Sequence, residues 1–484
     1  MENKQEKPIF SLELMTNHIN DLVKQSEPKM ADHKEITELL LAQIKRVDFR
    51  EVISLPEGED LKQKHIIYAI VKNLLKVSKD NKWNLAKAYD YIYVFNGAFW
   101  RQFDKEQIKN FLGESAIKMG CPDYDAKQWE FKDKLLKQFL SDAFLTVPEP
   151  NEEEVSINFQ NGTGRIINSN FVLNDFDPSD FITYQLPYQY ESTAKCPMFD
   201  NYLLRVLPDD SSRILLQEFC GFIFTRLNIE KCLMLIGGGK NGKSVFFNII
   251  NALIGKENVL NFSLGLFGHE YNRAKLTNVL LNYSSEKGFD LPVDTFKALI
   301  SGEPIQAREP YGKPFTLKNR AKFIFNTNSL PKETEASEAY FRRFLVIPFE
   351  QVISDSEVDI DLADKIIKSE LAGVFNWVLI GLNRIMKNRK FSDCEKAKKA
   401  VENFKKSSDS VLLFVEEENY YKSSIQNKAL KELFTEYKGY CQDSNFRPVS
   451  IQKFAERLKN AGFETERKNY GTIIFLEKQS FDTF

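Results

Sequence analysis

Residues 232–254 read CLMLIGGGKNGKSVFFNIINALI, and this stretch decides how the centre of the chain folds. The first five residues form an apolar run typical of a buried strand, and the residues after Ser244 repeat apolar side chains at helical spacing. Between them, residues 237–244 have the pattern G-x-x-x-x-G-K-S, which is typical of a loop whose backbone N–H groups surround a phosphate. A chance glycine-rich turn is the alternative. The strand before the loop and the helix after it favour the phosphate-binding interpretation.

Each residue type in this loop has a chemical role in that interpretation. Glycines let the backbone curl around a β-phosphate, and the N-terminus of the helix adds a favourable dipole. We expect Lys243 to reach the β- and γ-phosphates and the Ser244 hydroxyl to bind Mg²⁺, so the expected cofactors are ATP and Mg²⁺. The predicted nucleotide-binding residues are Gly237, Gly238, Gly239, Lys240, Asn241, Gly242, Lys243, Ser244 and Val245.

Three further features adjoin predicted strands: an acid and an amide that each follow a strand, and a pair of arginines that precedes one. Glu286 comes after the apolar residues 279–283, where a carboxylate can hold Mg²⁺ through water and polarise the attacking water. Asn328, which we prefer to Asn326, follows another apolar stretch and can hydrogen-bond both the γ-phosphate and that water. Taken alone, Glu286 is an ordinary strand-end carboxylate, and Asn-Thr-Asn before a proline is a turn.

The third feature is a pair of arginines, Arg342 and Arg343, directly before the apolar residues 344–349. A guanidinium can reach across a subunit boundary and stabilise charge on a transferred phosphoryl group. Two solvent-facing arginines are the alternative. The loop, the acid, the amide and the arginines follow one another in this order, which favours a shared catalytic role.

A basic segment lies between the acid and the amide. Residues 305–322 read IQAREPYGKPFTLKNRAK, with five basic residues and one acid. The Tyr-Gly step predicts a turn between two short strands, where a cation can bind phosphates and an aromatic ring can stack on a base. A solvated basic hairpin without a ligand is the alternative. The candidate DNA contacts are Arg308, Tyr311, Lys313 and Lys318.

Together these motifs resemble those of superfamily 3 helicases, and in particular the phage- and plasmid-type primase–helicase family. The family's motifs stand here in order at residues 237–244, Glu286, residues 297–303, residues 327–331 and Arg342-Arg343. The resemblance implies that Glu286 is the Walker B acid and Asn328 is sensor 1. It implies that Arg343, whose spacing fits better than that of Arg342, is the arginine finger. The implied catalytic residues are Lys243, Glu286, Asn328 and Arg343, and the implied metal ligands are Ser244 and Glu286.

One position departs from the family pattern. Many members have two adjacent acids at the Walker B position, whereas Ser285 precedes the single Glu286 here. A single carboxylate would then serve both Mg²⁺ and water, unless Asp290 contributes.

The whole chain is expected to have a multidomain α/β fold. We predict a helical N-terminal region at 1–80, an α+β helicase-associated domain at 81–196, and an AAA+-like ATPase domain with a parallel sheet at 197–390. A linker and a winged-helix domain complete the chain at 391–484, with residues 392–410 read as a linker or an exposed helix. The winged helix would contact either duplex DNA or another protein.

Composition and residue pattern bear on nucleic-acid binding, membrane association and primer synthesis. The 484 residues include 66 basic and 68 acidic side chains, so any surface that binds nucleic acid has to be local. No apolar run approaches the roughly 18 residues of a membrane span, so we expect a cytoplasmic protein without a membrane partner. Residues 1–80 lack an Asp/His set suited to a metal, so we expect no primer synthesis by this chain.

The expected function is that of an ATP-dependent DNA helicase for replication of a phage, plasmid or other mobile element. The resemblance implies a homo-oligomeric ring, expected to be a hexamer, that moves 3′ to 5′ along single-stranded or forked DNA. A separate primase or polymerase is a further expected partner. An origin-binding initiator ATPase that melts DNA and a nucleotide-gated scaffold that encircles DNA are the alternatives.

Overall fold

The computed structural model describes residues 32–88, 91–149, 151–167, 170–285, 291–310, 312–328, 338–444 and 446–479. The chain divides into two compact units. The first comprises Met1–Glu149 and Asp175–Tyr184, and the second comprises Pro150–Asn174 and Gln185–Phe484.

The first unit combines helices with a three-stranded antiparallel sheet. Its helices are α1 (Ile36–Gln43), α2 (Phe49–Ile53), α3 (Gln63–Asp80), α4 (Lys105–Met119), α5 (Asp123–Ala126) and α6 (Trp129–Asp142), and its strands are β1 (Asn84–Ala88), β2 (Tyr91–Phe95) and β3 (Trp100–Phe103). The strand order is β1-β2-β3. The turn between β2 and β3 is closed by Asn96, whose Oδ1 accepts hydrogen bonds from the backbone N–H groups of Ala98 and Phe99, each at 3.0 Å.

The second unit is built on a five-stranded sheet of order β13-β7-β12-β9-β8, in which every neighbouring pair is parallel. Its strands are β7 (Cys232–Ile236), β8 (Val259–Leu260), β9 (Leu281–Ser285), β12 (Lys322–Thr327) and β13 (Phe344–Pro348). Most residues of β7, β12 and β13 are buried, as expected for a parallel sheet covered on both faces. The prediction of a multidomain α/β fold is confirmed at this level.

The second unit also contains helices and two smaller sheets. The helices are α7 (Pro197–Val206), α8 (Asp210–Phe222), α9 (Lys243–Ile254), α10 (Glu270–Ala274), α11 (Val293–Ser301), α12 (Glu338–Phe341), α13 (Leu362–Ser369) and α14 (Leu371–Asn388). One small sheet contains β4 (Ser156–Phe159), β5 (Gly162–Ile167) and β6 (Asn170–Asn174), and the other is the antiparallel hairpin of β10 (Pro304–Arg308) and β11 (Pro314–Lys318). The hairpin lies where the basic segment predicts it.

The C-terminal part of the second unit begins with α15 (Glu395–Ser408), in the segment interpreted from sequence as a linker or an exposed helix. It is a packed helix, because Phe404 is fully buried and its ring lies 5.3 Å from that of Phe344. The remaining elements are α16 (Ser410–Glu417), β14 (Tyr420–Ala429), α17 (Leu430–Asp443), α18 (Ile451–Asn460), β15 (Thr465–Lys468) and β16 (Gly471–Lys478), with strand order β14-β16-β15. Within the described part of the chain, no helix has both the length and the hydropathy that crossing a membrane requires.

Two glycines allow α8 and α14 to cross at backbone contact. A Cβ on Gly381 would lie 2.1 Å from the Gln217 carbonyl oxygen, and one on Gly221 would lie 2.3 Å from the Leu382 nitrogen. Both neighbours are backbone atoms, so neither can move without shifting a helix. We expect Gly381→Ala to lower the free energy of unfolding by about 2 kcal/mol, because overpacking outweighs the better helix propensity of alanine.

Urea unfolding of the full chain would measure this effect. Gly439→Ala is the matched control, because Gly439 lies within α17 and a Cβ there would meet nothing within 4 Å. This control is expected to be neutral or stabilising by up to about 1 kcal/mol. Equal stabilities of the two variants would show that the close crossing does not limit the fold.

Candidate functional site

The glycine-rich loop joins the end of β7 to the start of α9, at the carboxyl edge of the central sheet. Gly239 and Gly242 have φ angles of +109° and +87°, in the left-handed region that favours glycine. The Gly242 carbonyl oxygen accepts a 2.9 Å hydrogen bond from the Tyr202 hydroxyl of α7. Burial raises the pKa of Tyr202, so the hydroxyl remains a donor at neutral pH. Sequence reasoning missed Tyr202, because nothing in its local pattern links it to a loop so far along the chain.

Lys243 is folded into this loop. Its Nζ donates to the Gly237 carbonyl oxygen at 2.6 Å and to Asn241 Oδ1 at 3.1 Å. Asn241 Nδ2 in turn donates to the Phe349 carbonyl oxygen at 3.2 Å, which ties the loop to the end of β13. Ser244 is exposed on the first turn of α9. The loop therefore brings an ammonium group, a hydroxyl and the N-terminus of a helix close together.

The other strand ends lie at the same edge of the sheet. Thr327 is in register with Ile236, and the Thr327 carbonyl oxygen accepts a 3.2 Å hydrogen bond from the Gly237 N–H. Asn328 follows directly and is exposed. Ser285, the last residue of β9, is in register with Asn326. Glu286 and Asp290 lie outside the described residues, so the role of Glu286 stays a prediction.

Asn326 and Asn328 have different surroundings. Asn326 is buried, and its Oδ1 accepts a 3.0 Å hydrogen bond from the Tyr283 hydroxyl. Its Nδ2 donates to the Lys243 carbonyl oxygen at 3.4 Å, which joins β12 to the start of α9. Asn326 therefore supports the loop from inside, whereas Asn328 is the amide that is open to solvent at the strand end.

A cavity of about 340 Å³ lies beside the loop. Its walls are formed by Ile236, Gly237, Gly238, Gly239, Asn241, Pro348, Phe349, Glu350 and Val352. The segment after β13 is held there because the Ile353 N–H donates to the Lys240 carbonyl oxygen at 2.8 Å and Lys240 Nζ lies 2.6 Å from Asp355 Oδ1. Four apolar residues and three glycines give this cavity a largely apolar lining next to the loop.

The two arginines lie at the opposite, amino edge of the sheet. Arg343 is buried, and its Nε and Nη2 donate to Ser301 Oγ at 3.1 and 2.7 Å. Its Nη2 also lies 3.2 Å from Glu230 Oε2. The Arg342 side chain is 60% exposed and reaches the same Glu230 oxygen at 3.3 Å. Arg343 is therefore buried with partners in its own chain, whereas Arg342 is open to solvent, and which of the two is the finger stays a prediction.

The hairpin has a packed face and an open face. Ile305, Ala307, Phe315 and Leu317 pack into the core, whereas Lys318 and the turn residue Lys313 are exposed. Arg308 Nε donates to the Gly312 carbonyl oxygen at 3.0 Å, and Nη1 lies 3.8 Å from Glu270, so this side chain also shapes the turn. Tyr311 lies outside the described residues.

Lys322, one of the five basic residues of the hairpin segment, has an interior role. Its Nζ donates to the Leu227 carbonyl oxygen at 3.0 Å and lies 3.9 Å from the centroid of the Phe222 ring. Burial lowers the pKa of this ammonium group to about 7. Lys322 therefore ties the start of β12 to the end of α8 and the segment after it, and it is not part of the exposed basic surface of the hairpin.

Comparison with known proteins adds sequence and structural relatives. Residues 68–208 match the model of a family described as D5 N terminal like, and residues 235–343 match a family of unknown function, DUF5906. Neither model is described as a primase. A protein of Invertebrate iridescent virus 6, provisionally named helicase 184R, is 27% identical over 250 residues, which cover 42% of this chain and 24% of that relative.

Among solved structures, two forms of the C-terminal region of NrS-1 are similar at a TM-score of 0.47 and 15% identity. The alignments cover 84% of this chain and 98 to 99% of the NrS-1 chains. A likeness this remote carries no conclusion about function. The match to the D5 N-terminal-like family and the viral helicase relative fit a phage primase–helicase-like protein, and they confirm the resemblance found in the sequence motifs.

Proposed function

We propose that this chain is the ATP-driven motor of a DNA helicase that serves replication of a phage, plasmid or other mobile element. The observation that carries the proposal is the glycine-rich loop between β7 and α9, with Lys243 folded into it. Loops of this kind bind the phosphates of a nucleotide, because backbone N–H groups and a helix N-terminus favour negative charge. The viral helicase relative supports the same proposal.

The residues present fit ATP with Mg²⁺. Gly238 and Gly239 are exposed and have open space around the positions of a Cβ, which leaves room for phosphates against the backbone. Lys243 would exchange its bonds within the loop for phosphate oxygens, and Ser244 and Glu286 would hold the metal. A bound Mg²⁺ would neutralise charge on the phosphates. The adjoining cavity would receive the nucleobase, and Asn328 would position the attacking water.

The arginines can serve this reaction only in a neighbouring subunit. Phe344 is in register with Cys232, the first residue of β7, whereas the loop follows Ile236 at the other end of that strand. Five residues of strand span about 16 Å, more than an arginine side chain reaches. We therefore propose a homo-oligomeric ring, in keeping with the family a hexamer, in which Arg342 contacts the nucleotide of the next protomer.

The hairpin is the proposed grip on single-stranded DNA. Lys313 is exposed at its turn and Lys318 at its base, and a cation at each position can bind a phosphate. Arg308 contributes by holding the turn, and the role of Tyr311 stays a prediction. The C-terminal α17, α18 and β14-β16-β15 sheet are proposed to form a winged helix that contacts duplex DNA or a partner such as a primase or polymerase. We propose 3′ to 5′ movement by resemblance alone.

Hydrolysis of ATP and unwinding of forked duplexes by the full chain would test this function. We expect hydrolysis that single-stranded DNA stimulates, and separation of strands from a fork with a 3′ tail. Lys313→Ala should reduce the stimulation by DNA about tenfold, since one phosphate contact and its counterion release are lost.

Lys387→Ala is the matched control for Lys313→Ala, because Lys387 is an exposed lysine on α14 that lies outside both the hairpin and the proposed winged helix. Hydrolysis confined to one duplex sequence, without unwinding of other forks, would favour the origin-binding initiator. Binding of nucleotide and DNA without turnover would favour the scaffold and contradict the motor.

A further inference from the structure

We propose that Glu230 is a positioning residue that holds Arg342 back until the nucleotide of the next protomer competes for it. This inference rests on the proposed function and adds a control on the arginine that acts between subunits. The carboxylate is shared, because Arg342 and Arg343 approach the same oxygen, Glu230 Oε2, at 3.3 and 3.2 Å.

The two arginines are held very differently. Arg343 has only 6% of its side chain exposed and keeps the Ser301 hydroxyl and the Ala339 carbonyl oxygen as further partners. Arg342 is 60% exposed, and Glu230 is its ion-pair partner. An anion arriving from solvent would therefore displace Arg342 from Glu230 and leave Arg343 in position. A triphosphate is the stronger competitor, since it carries more charge and accepts paired hydrogen bonds from a guanidinium.

The backbone of Glu230 supports a specific role. Its φ angle is +52°, a left-handed conformation that is costly for a residue other than glycine and that persists when its surroundings impose it. At Glu230, hydrogen bonds made by the neighbouring residues Asn228 and Lys231 impose this conformation. Lys231 Nζ donates to the Arg342 carbonyl oxygen, and Asn228 Nδ2 donates to the Ser301 carbonyl oxygen at 2.8 Å. The loop of residues 228–231 thus aims its carboxylate at the arginine pair.

The same loop also reaches the base of the hairpin. Ser301 ends α11, and β10 begins at Pro304. Ser301 is held by Asn228 through its carbonyl oxygen and by Arg343 through its hydroxyl. When Arg342 leaves Glu230, the carboxylate is left to Arg343, which is bonded to the hairpin base. Binding of a nucleotide to one protomer would in this way alter the contacts at the base of the proposed DNA-binding hairpin in the neighbouring protomer.

Glu230→Gln tests the inference, because it keeps the size of the side chain and removes its charge. We expect hydrolysis without DNA to rise about two- to fivefold and KM for ATP to fall, as expected when a partly exposed ion pair no longer competes. In the Arg342→Ala background the same substitution should change neither value. Glu418→Gln is the matched control, since Glu418 is similarly exposed and pairs with Lys478 at 2.6 Å away from the arginines.

The outcomes separate this inference from the proposed function. Absence of ATP hydrolysis in the unmodified chain would contradict the motor itself. Hydrolysis by the unmodified chain with an unchanged rate and KM in Glu230→Gln would overturn the role of Glu230 alone. If Glu230 has only a structural role, Glu230→Gln should have a lower melting temperature and a lower rate of hydrolysis. Glu230→Asp, whose side chain is shorter, should then show the same two losses. If Glu230→Gln does not fold, Glu230→Asp should still raise the DNA-free rate, and a lower rate in that variant would overturn the inference.

Discussion

Replacing Lys243 by methionine is expected to lower ATP hydrolysis at least about 100-fold, because one preorganised cation facing the transferred phosphoryl group is lost. Methionine keeps the unbranched stem, so packing of the largely buried side chain should be nearly preserved. The measurements are steady-state hydrolysis and nucleotide affinity with a fluorescent ATP analogue. We expect affinity and turnover to fall together.

The effect of Lys243→Met on stability is expected to be small, and it arises from lost hydrogen bonds within the loop and not from lost contacts with the nucleotide. Without the ammonium group, the partly exposed Gly237 carbonyl oxygen and the buried Asn241 Oδ1 each lose a donor. We therefore expect a loss of about 1–2 kcal/mol of unfolding free energy. A melting temperature close to that of the unmodified chain would separate lost chemistry from lost folding.

Lys256→Met is the matched control for this experiment. Lys256 is an exposed lysine just after the other end of the same helix, α9, outside the glycine-rich loop. Its replacement should leave hydrolysis within about twofold of normal, as is usual for exposed surface substitutions. Normal turnover in Lys243→Met would mean that the glycine-rich loop is not the phosphate site.

Local features of the fold follow directly from sequence. The β7 strand, its glycine-rich loop and α9 are contiguous, and their apolar spacing and glycines leave few other conformations. The same holds for the β2–β3 turn at Asn96 and for the β10–β11 hairpin, where alternation and turn residues agree. In each case the interactions that define the element lie within a short segment.

Features that depend on distant contacts could not be predicted in this way. The sheet order β13-β7-β12-β9-β8 depends on how crossover connections pack, and no local pattern specifies it. Strand β14 does not alternate buried and exposed residues regularly, because its register shifts between Lys422 and Asn427, so no local pattern marks it as a strand. Tyr202 and Glu230 act on residues far along the chain, and only the folded structure brings them together.

Arg342 and Arg343 are adjacent in sequence, but the folded chain exposes the first and buries the second. We therefore expect their substitution to have different effects on turnover and stability. Arg342→Ala is expected to lower turnover about 10³-fold, the effect of losing an arginine that stabilises the transferred phosphoryl group. Its melting temperature should hardly change, because the side chain is largely exposed and its ion pair with Glu230 contributes little. Hydrolysis and thermal unfolding, measured on the same preparations, would test this combination.

Arg343→Ala, unlike Arg342→Ala, should clearly lower the stability of the fold. The substitution leaves the Ser301 hydroxyl and the Ala339 carbonyl oxygen without their donor and opens a cavity beside the base of the hairpin. We expect unfolding free energy to fall by about 2–4 kcal/mol. Arg343→Lys should recover part of that stability, because an ammonium group can still reach Glu230. If Arg343→Ala instead kept its stability and lost only turnover, Arg343 would be the residue that reaches the next subunit, and its burial here would describe a protomer that rearranges on assembly.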